Sequence, residues 1–428
     1  MPDNPAASAS KLAAREPSLP TTPARPWSLD AWLLARIGAA LGAAPLRFVL
    51  WNGIERTLDS ASPVASALIA DRRTLLALAL DPEREFGDAY SEGRVEVTGD
   101  LVAFLEALYR ALEASRARGT GRKRAWLARR ANDLQRARAN VQRHYDIGND
   151  FYRLWLDERM VYTCAYFPSP EASLEEAQLA KMDLICRKLR LRPGERVVEA
   201  GCGWGALALY MARRYGVSVR AFNVSHEQIA YARQRAREEG LGERVEFLER
   251  DYRDIDGQAD VFVSVGMLEH VGLDNYGSLG AVVHRCLGAG RGRGLLHFIG
   301  RHRPRQLNAW ITERIFPGAY APALSEVFEG VLEPWGFSVL DVENLRLHYA
   351  RTLEHWRARF EAVAVRVAAL FDERFVRAWR LYLAGSQAAF SMGSLQLFQV
   401  LFGRPGDNDV PWTRQEHTGP REVPRGVV

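Results

Sequence analysis

The chain has 428 residues, 47% of them hydrophobic and 25% charged, with a formal net charge of +5. These values describe a globular protein with room for two domains and a core that needs no covalent staples. The four cysteines, at 164, 186, 202 and 286, form no CxxC pair and have no histidine-rich companion, which argues against a zinc site or a disulfide framework and for a reducing cytosol.

Residues 1–28 lack an apolar h-region, so they read as a disordered tail and not as a secretory signal. The most apolar stretch that follows, WLLARIGAALGAAPLRFVLW, is interrupted by Arg36, Pro45 and Arg47 and falls short of a membrane span. Within residues 29–115, LRFVLWNG and GRVEVTGD look like strands ending at glycine, and LVAFLEALYRAL has helical spacing, which predicts a small α+β domain. Residues 116–143 set a run of Arg and Lys against one acid, Asp133. This linker or helix reads as a solvated face, a nucleic-acid phosphate clamp or a dock for anionic lipid headgroups. Interleaved Trp126 and Leu127 suit an interface better than a bare clamp. Next, MVYTCAYF frames Cys164 with aromatics, and by itself leaves nucleophile, metal ligand, redox thiol and core all open. LEEAQLAKMDLICRKLRL is an amphipathic helix closed by RPGE. RVVEAG, SVRAFNV, VEFLER and ADVFVSVGM then alternate as strands with helical segments, the rhythm of a doubly wound, mostly parallel α/β sheet. Aromatic-rich helices beyond about residue 303 precede a return to strand in GFSVLDVENL. Residues 404–428, rich in proline and charge, read as a second disordered tail.

EAGCGWGA, residues 199–206, follows a strand and opens a helix. Gly201 and Gly203 let the backbone turn tightly and approach a ligand, and Gly205 lets the helix pack on the sheet. Gly201, Gly203 and Ala206 also fit the dinucleotide pattern G-x-G-x-x-A, which is weak alone. Two residues speak against a nicotinamide dinucleotide. Glu199 puts negative charge where the pyrophosphate would lie, and the second strand ends in Asn223 where a ribose-binding acid is expected. A ligand with an ammonium group and no phosphate suits the turn, and S-adenosylmethionine is such a ligand. Asp251, after the third strand, is placed to accept from adenine N6. The pattern predicts a methyltransferase of Rossmann-like fold.

HYDIGNDFYRLWLDERMVYTCAYF, EAGCGWGALALYMARRYG, NVSHEQ, GMLEHVG, HFIG, IFPGAYAP, HYARTLEHWRARF and SLQLFQVLF follow in order from residue 144 to 402. In these blocks the chain resembles the cyclopropane-fatty-acyl-phospholipid synthases and the mycolic acid cyclopropane synthases, which makes residues 144–403 the catalytic domain. The resemblance implies transfer of a methylene unit from S-adenosylmethionine to the cis double bond of unsaturated phospholipid acyl chains. Bicarbonate is implied as a second cofactor, and neither metal nor nucleic acid is expected. The resemblance further implies that residues 29–115 bind lipid. The basic run and the lack of a spanning segment predict a cytoplasmic protein, peripheral on the inner, anionic face of the membrane. A homodimer is left open. Relatives that make methylene- or methyl-branched chains share most of these blocks, and Ser386 stands where the phospholipid synthases commonly carry a cysteine. A non-catalytic lipid- or nucleic-acid-binding protein on the same fold is the reading from another class.

An isolated alkene is a poor nucleophile, and its attack on a sulfonium methyl leaves a carbocation. The site must align the two, exclude water and offer a base. Aromatic faces at Tyr162, Tyr166 and Trp204 would surround the cation without reacting with it. A thiolate at Cys164 would be alkylated, so covalent catalysis suits it least. The resemblance places the bicarbonate contacts on Cys164, Glu269, His297, Ile299 (through its backbone) and Tyr349. The cofactor contacts it carries over are Tyr162, Thr163, Gly201, Gly203, Asn223, Val224, Gln228, Tyr252 and Arg253, beside Glu199 and Asp251.

Overall fold

The computed structural model describes residues 28–59, 62–117, 147–288 and 290–418. The tail expected at the N-terminus and nearly all of the basic stretch, with Arg122, Lys123, Arg129 and Arg130, lie outside the described residues.

The N-terminal unit comprises α1 (Leu29–Leu41), β1 (Leu46–Leu50), β2 (Glu55–Thr57), β3 (Ala65–Ile69), α2 (Arg72–Leu80), α3 (Pro82–Ser91), β4 (Val95–Gly99) and α4 (Leu101–Ala117). Ser28 caps α1 by accepting the Ala31 N–H, and Asp71 caps α2 by accepting that of Thr74. The strands form one sheet in the order β2-β1-β3-β4, with β1 and β3 parallel and the outer pairs antiparallel. Alternate residues of β1 and β3 are buried, so Leu46, Phe48, Leu50, Ala65, Ala67 and Ile69 turn one face inward.

The second sheet has seven strands in the order β10-β11-β9-β8-β5-β6-β7. They are β5 (Arg196–Ala200), β6 (Ser218–Asn223), β7 (Val245–Glu249), β8 (Val261–Val265), β9 (Arg293–Gly300), β10 (Ser338–Asn344) and β11 (Gln396–Gly403). β5 to β9 are mutually parallel, and β11 runs antiparallel between β9 and β10. The order reverses at β5, whose neighbours are β6 and β8, so a ligand crevice opens at its C-terminal end. That end is the glycine turn. The doubly wound expectation holds, with the antiparallel edge supplied by the last strand of the chain.

The two units share one apolar cluster, from Leu34, Phe48 and Phe104 through Tyr152 and Trp155 to Trp356 and Trp379. At the junction Trp310 lies on Gly87 of α3, where a Cβ would come within 2.4 Å of the indole. The same indole donates to Asp88, which also holds Arg314 at 2.8 Å. Residues 404–418, read from sequence as tail, are ordered against the catalytic unit. Asp409 pairs with Arg190 and Arg192, and His417 is buried.

Candidate active site

Gly201, Gly203 and Gly205 all take positive φ, at 83°, 53° and 85°. A side chain at Gly205 would strike Phe247 and Ala232, so this glycine brings the helix Ala206–Tyr215 down onto the sheet. Gly203 faces open space. That space belongs to a cavity of about 700 Å³ lined by Glu199, Gly201 and Gly203 of the turn. Asn223, Val224 and Gln228 from the end of β6 and the following helix join the lining, as do Asp251, Tyr252 and Arg253 after β7. Tyr162, Thr163, Glu269, Ile299 and Tyr349 close it.

The polar residues hold one another in place. Asn223 donates to Gln228 Oε1 at 2.7 Å and accepts the Val224 N–H at 2.8 Å. Asp251 accepts the Arg253 N–H, and the Arg253 guanidinium lies 3.2 Å from the same carboxylate. Glu199 is buried with Oε2 unpartnered, and burial pushes its carboxyl up to about 8. The Tyr162 hydroxyl bonds that of Tyr382 at 2.8 Å, and its ring sits among Tyr152, Trp155 and Trp356 at centroid distances of 5.2–5.4 Å.

The helix Leu174–Lys188 contributes residues that motif reading passed over. Lys181 is buried, donates to Thr163 Oγ1 at 2.8 Å, and is pushed down to about 8 by desolvation. Cys164 and Glu199 are its electrostatic neighbours. The signal was present in the sequence. Leu174, Gln178, Lys181, Ile185 and Lys188 recur at helical spacing, so two lysines sit on the apolar stripe of an amphipathic helix.

The family model described as mycolic acid cyclopropane synthetase matches residues 132–400. The chain belongs to this family. A probable fatty acid methyltransferase of Pseudomonas putida is 39% identical over 90% of this chain and 99% of its own length. A cyclopropane-fatty-acyl-phospholipid synthase of Escherichia coli K12 is 41% identical over 67% of this chain and 70% of its own. Among solved structures, a mycolic acid cyclopropane synthase complexed with SAH and CTAB superposes with a TM-score of 0.59 at 33% identity, covering 62% of this chain and 98% of that one. The cyclopropane synthase fold is thus a class I S-adenosylmethionine-dependent methyltransferase, and the cavity suits that cofactor. Gly203 leaves open space beside the turn, and Glu199 brings an unpartnered oxygen to the lining.

The residues named from the cyclopropane synthase blocks divide into two groups. Glu269, in the short helix Leu268–Val271, reaches the cavity, and burial pushes its carboxyl up to about 7. Its Oε1 accepts the Ile299 N–H at 2.6 Å while Oε2 is buried without a partner. The Ile299 amide faces Glu269: β8 ends opposite His297 and leaves this N–H free for the carboxylate. Tyr349 lines the cavity with its ring 4.5 Å from Phe390. Cys164 and His297 stand behind the lining. Cys164 is fully buried, donates to the Ala165 carbonyl, and burial raises its thiol far above the usual range. It is a thiol and not a thiolate, which disfavours nucleophilic catalysis. His297 is buried with Nε2 unpartnered. Of the three aromatics expected around a cation, Tyr162 and Trp204 line the cavity, whereas Tyr166 stacks on His348 outside it. Ser386 lies on the cavity wall.

Proposed function

We propose that the protein transfers a methylene unit from S-adenosylmethionine to the cis double bond of an unsaturated phospholipid acyl chain, closing a cyclopropane. The observation that carries this reading is the continuity of the cavity. From the glycine turn it passes Phe316, Leu381 and Ala389 and enters the N-terminal unit, where Ile37, Leu78, Phe104 and Leu108 line it. An apolar passage of this kind fits an alkyl chain, so residues 29–115 serve as the far wall of the acyl site.

S-adenosylmethionine supplies the electrophilic methyl, and bicarbonate fits as the base. Glu269 Oε2, an acceptor, and His297 Nε2, an imidazole nitrogen, are among the buried polar atoms without partners. Unpaired groups of this kind cost about 1–3 kcal/mol each unless a bound group satisfies them. An anion bearing one hydroxyl matches an acceptor on one side and a donor on the other. Glu269 would accept its hydroxyl proton and orient it, while His297 and Tyr349 would donate to its oxygens. The Tyr162 and Trp204 rings would face the developing cation without a nucleophile.

Bulk placed in the N-terminal part of the cavity tests the acyl assignment. Leu108→Trp or Ile37→Trp is expected to lower turnover on long-chain phospholipid at least about tenfold, with S-adenosylmethionine affinity unchanged. Unchanged turnover in both variants would place the chain elsewhere.

An alkene inside a bilayer requires peripheral docking, here on the inner face of the membrane. Among the described residues no helix is long and apolar enough to cross a membrane. The exposed stripe of α1 is Leu29, Trp32, Arg36 and Ala40, and that of α2 is Arg73, Leu76 and Leu80. Leu29 and Trp32 are 56% exposed and Leu80 is 83% exposed, although all are large and apolar. Arg36 and Ala40 also line the cavity, so the passage meets the surface beside this stripe. Apolar anchors and arginines around a chain-sized opening suit an anionic lipid surface. Removing Trp32 and Leu80 together (Trp32→Ser, Leu80→Ser) is expected to weaken binding to anionic vesicles by roughly tenfold or more. Neutralising Arg122, Lys123, Arg129 and Arg130 should chiefly reduce its salt dependence. Vesicle binding indifferent to both sets, or stronger binding to nucleic acid, would count against this surface.

A methylene- or methyl-branched product is the second reading. It is favoured by the Pseudomonas putida relative, whose name is that of a fatty acid methyltransferase, and by Ser386 on the cavity wall.

A further inference from the structure

β11, inserted between β9 and β10, places Gln399 opposite His297 on one side and opposite Glu343 on the other. All three lie at one register across the sheet. The helix Leu174–Lys188 ends over this row, and its last residue, Lys188, is buried against it. Lys188 Nζ pairs with the Glu343 carboxylate and donates to Gln399 Oε1 at 2.9 Å. Gln399 Nε2 lies 3.0 Å from His297 Nδ1. The next imidazole nitrogen, Nε2, is the one left buried and unpartnered.

The chemistry of this row has one consistent reading. A lysine ammonium has three donors and no acceptor, so the amide must turn its oxygen toward Lys188. The amide NH₂ then faces His297 and can only donate. Nδ1 must accept, and a neutral imidazole that accepts at Nδ1 carries its proton on Nε2. Turning the amide over would set its NH₂ against the ammonium, donor against donor in a buried place. Burial disfavours the doubly protonated ring, because desolvation and the charges of Lys181 and Lys188 push the imidazolium down.

We propose that Gln399, itself oriented by Lys188, is a positioning residue that fixes His297 as the Nε2–H tautomer and so makes it a hydrogen-bond donor toward the site. The inference rests on the reading that His297 donates to an oxyanion there. Lys188 lies outside the family blocks, and Gln399 lies within SLQLFQVLF with no role in the chemistry assigned to it. Gln399 is the polar residue between Leu397 and Leu401 on one face of its strand, and Lys188 ends the buried helix stripe that also carries Gln178 and Lys181.

The test is the tautomer itself, read in the full-length protein labelled with ¹⁵N-histidine. Long-range proton–nitrogen correlations distinguish a protonated ring nitrogen from a bare one, and His297→Gln identifies the resonance among the nine histidines. The wild-type ring is expected to show a bare Nδ1 and a protonated Nε2, unchanged between roughly pH 6 and 8. Gln399→Glu keeps the shape and the contact with Lys188 but presents only acceptors to Nδ1. It is expected to move the proton to Nδ1 and lower kcat about 10- to 100-fold, with S-adenosylmethionine affinity unchanged. Gln399→Asn, which retains an amide at shorter reach, should recover part of kcat. A wild-type ring protonated on Nδ1 overturns the proposal whether or not the variants fold. A proton moved by Gln399→Glu with kcat unchanged overturns its catalytic consequence. An Nε2–H wild-type ring together with full turnover in His297→Gln would uphold the tautomer and remove the oxyanion reading, so the two fail separately.

Discussion

Glu269→Gln is expected to lower turnover at least about 100-fold while S-adenosylmethionine still binds. The side chain keeps its size and can still accept the Ile299 N–H, but the amide is not the anionic acceptor that the proposed bicarbonate hydroxyl would require. The pH dependence carries the sign. The Glu269 carboxyl, raised by burial to about 7, is protonated below that value and accepts the hydroxyl proton only above it. Turnover by the wild type should rise with pH through about 7 and then level, and in Glu269→Gln that limb should vanish. Folding supplies an independent check. A carboxyl raised from 4.5 to about 7 by desolvation favours the folded state fully below 4.5, and that contribution is lost as pH rises through 7. Glu269→Gln should therefore melt higher than the wild type at pH 8, by up to about 3 kcal/mol of stability, and its inactivity would not be unfolding. Full turnover in this variant would remove Glu269 from the chemistry.

The second large effect concerns the cofactor. Glu199→Gln is expected to weaken S-adenosylmethionine binding by roughly 30-fold or more, as removal of one partner of a buried charge pair costs at least about 2 kcal/mol. Burial keeps the Glu199 carboxyl protonated up to about 8, with Lys181 close enough to oppose that shift. A cationic ligand favours the carboxylate, so binding at pH 7 should release a proton. Affinity should rise between pH 6 and 7.5. Titration calorimetry in two buffers of different ionisation enthalpy measures the proton directly. Glu199→Gln should bind without releasing it, and equal proton release in both proteins would assign the titration to another group.

The parts of this arrangement that were legible in the sequence are those with a strong local period. RVVEAG, SVRAFNV and ADVFVSVGM are apolar runs bounded by turns, and each is a strand of the parallel sheet. Gly205 was readable because helix and sheet must meet where Phe247 leaves no room for a Cβ. Features set by distant pairing were not readable. The insertion of β11 beside β9 depends on residues about 100 positions apart, and with it came the row Glu343, Gln399, His297. The direction of the Ile299 amide depends on where β8 stops. Lys181 and Lys188 were hidden by the habit of assigning lysine to a solvated face, although their spacing put them on the buried one. The order in residues 404–418 rests on Asp409 meeting Arg190 and Arg192, a contact that composition does not reveal.

The central claim, closure of a cyclopropane on a membrane acyl chain, is tested most directly by the product. The full-length protein would act on phospholipid vesicles with cis-unsaturated chains in the presence of S-adenosylmethionine, and the recovered lipid would be read by proton NMR. Mass does not separate the cyclopropane from an exomethylene isomer, but the spectrum does. The expected result is a pair of ring methylene signals far upfield, growing as the original alkene signals decline. Exomethylene signals in the alkene region without the upfield pair would contradict cyclopropane formation.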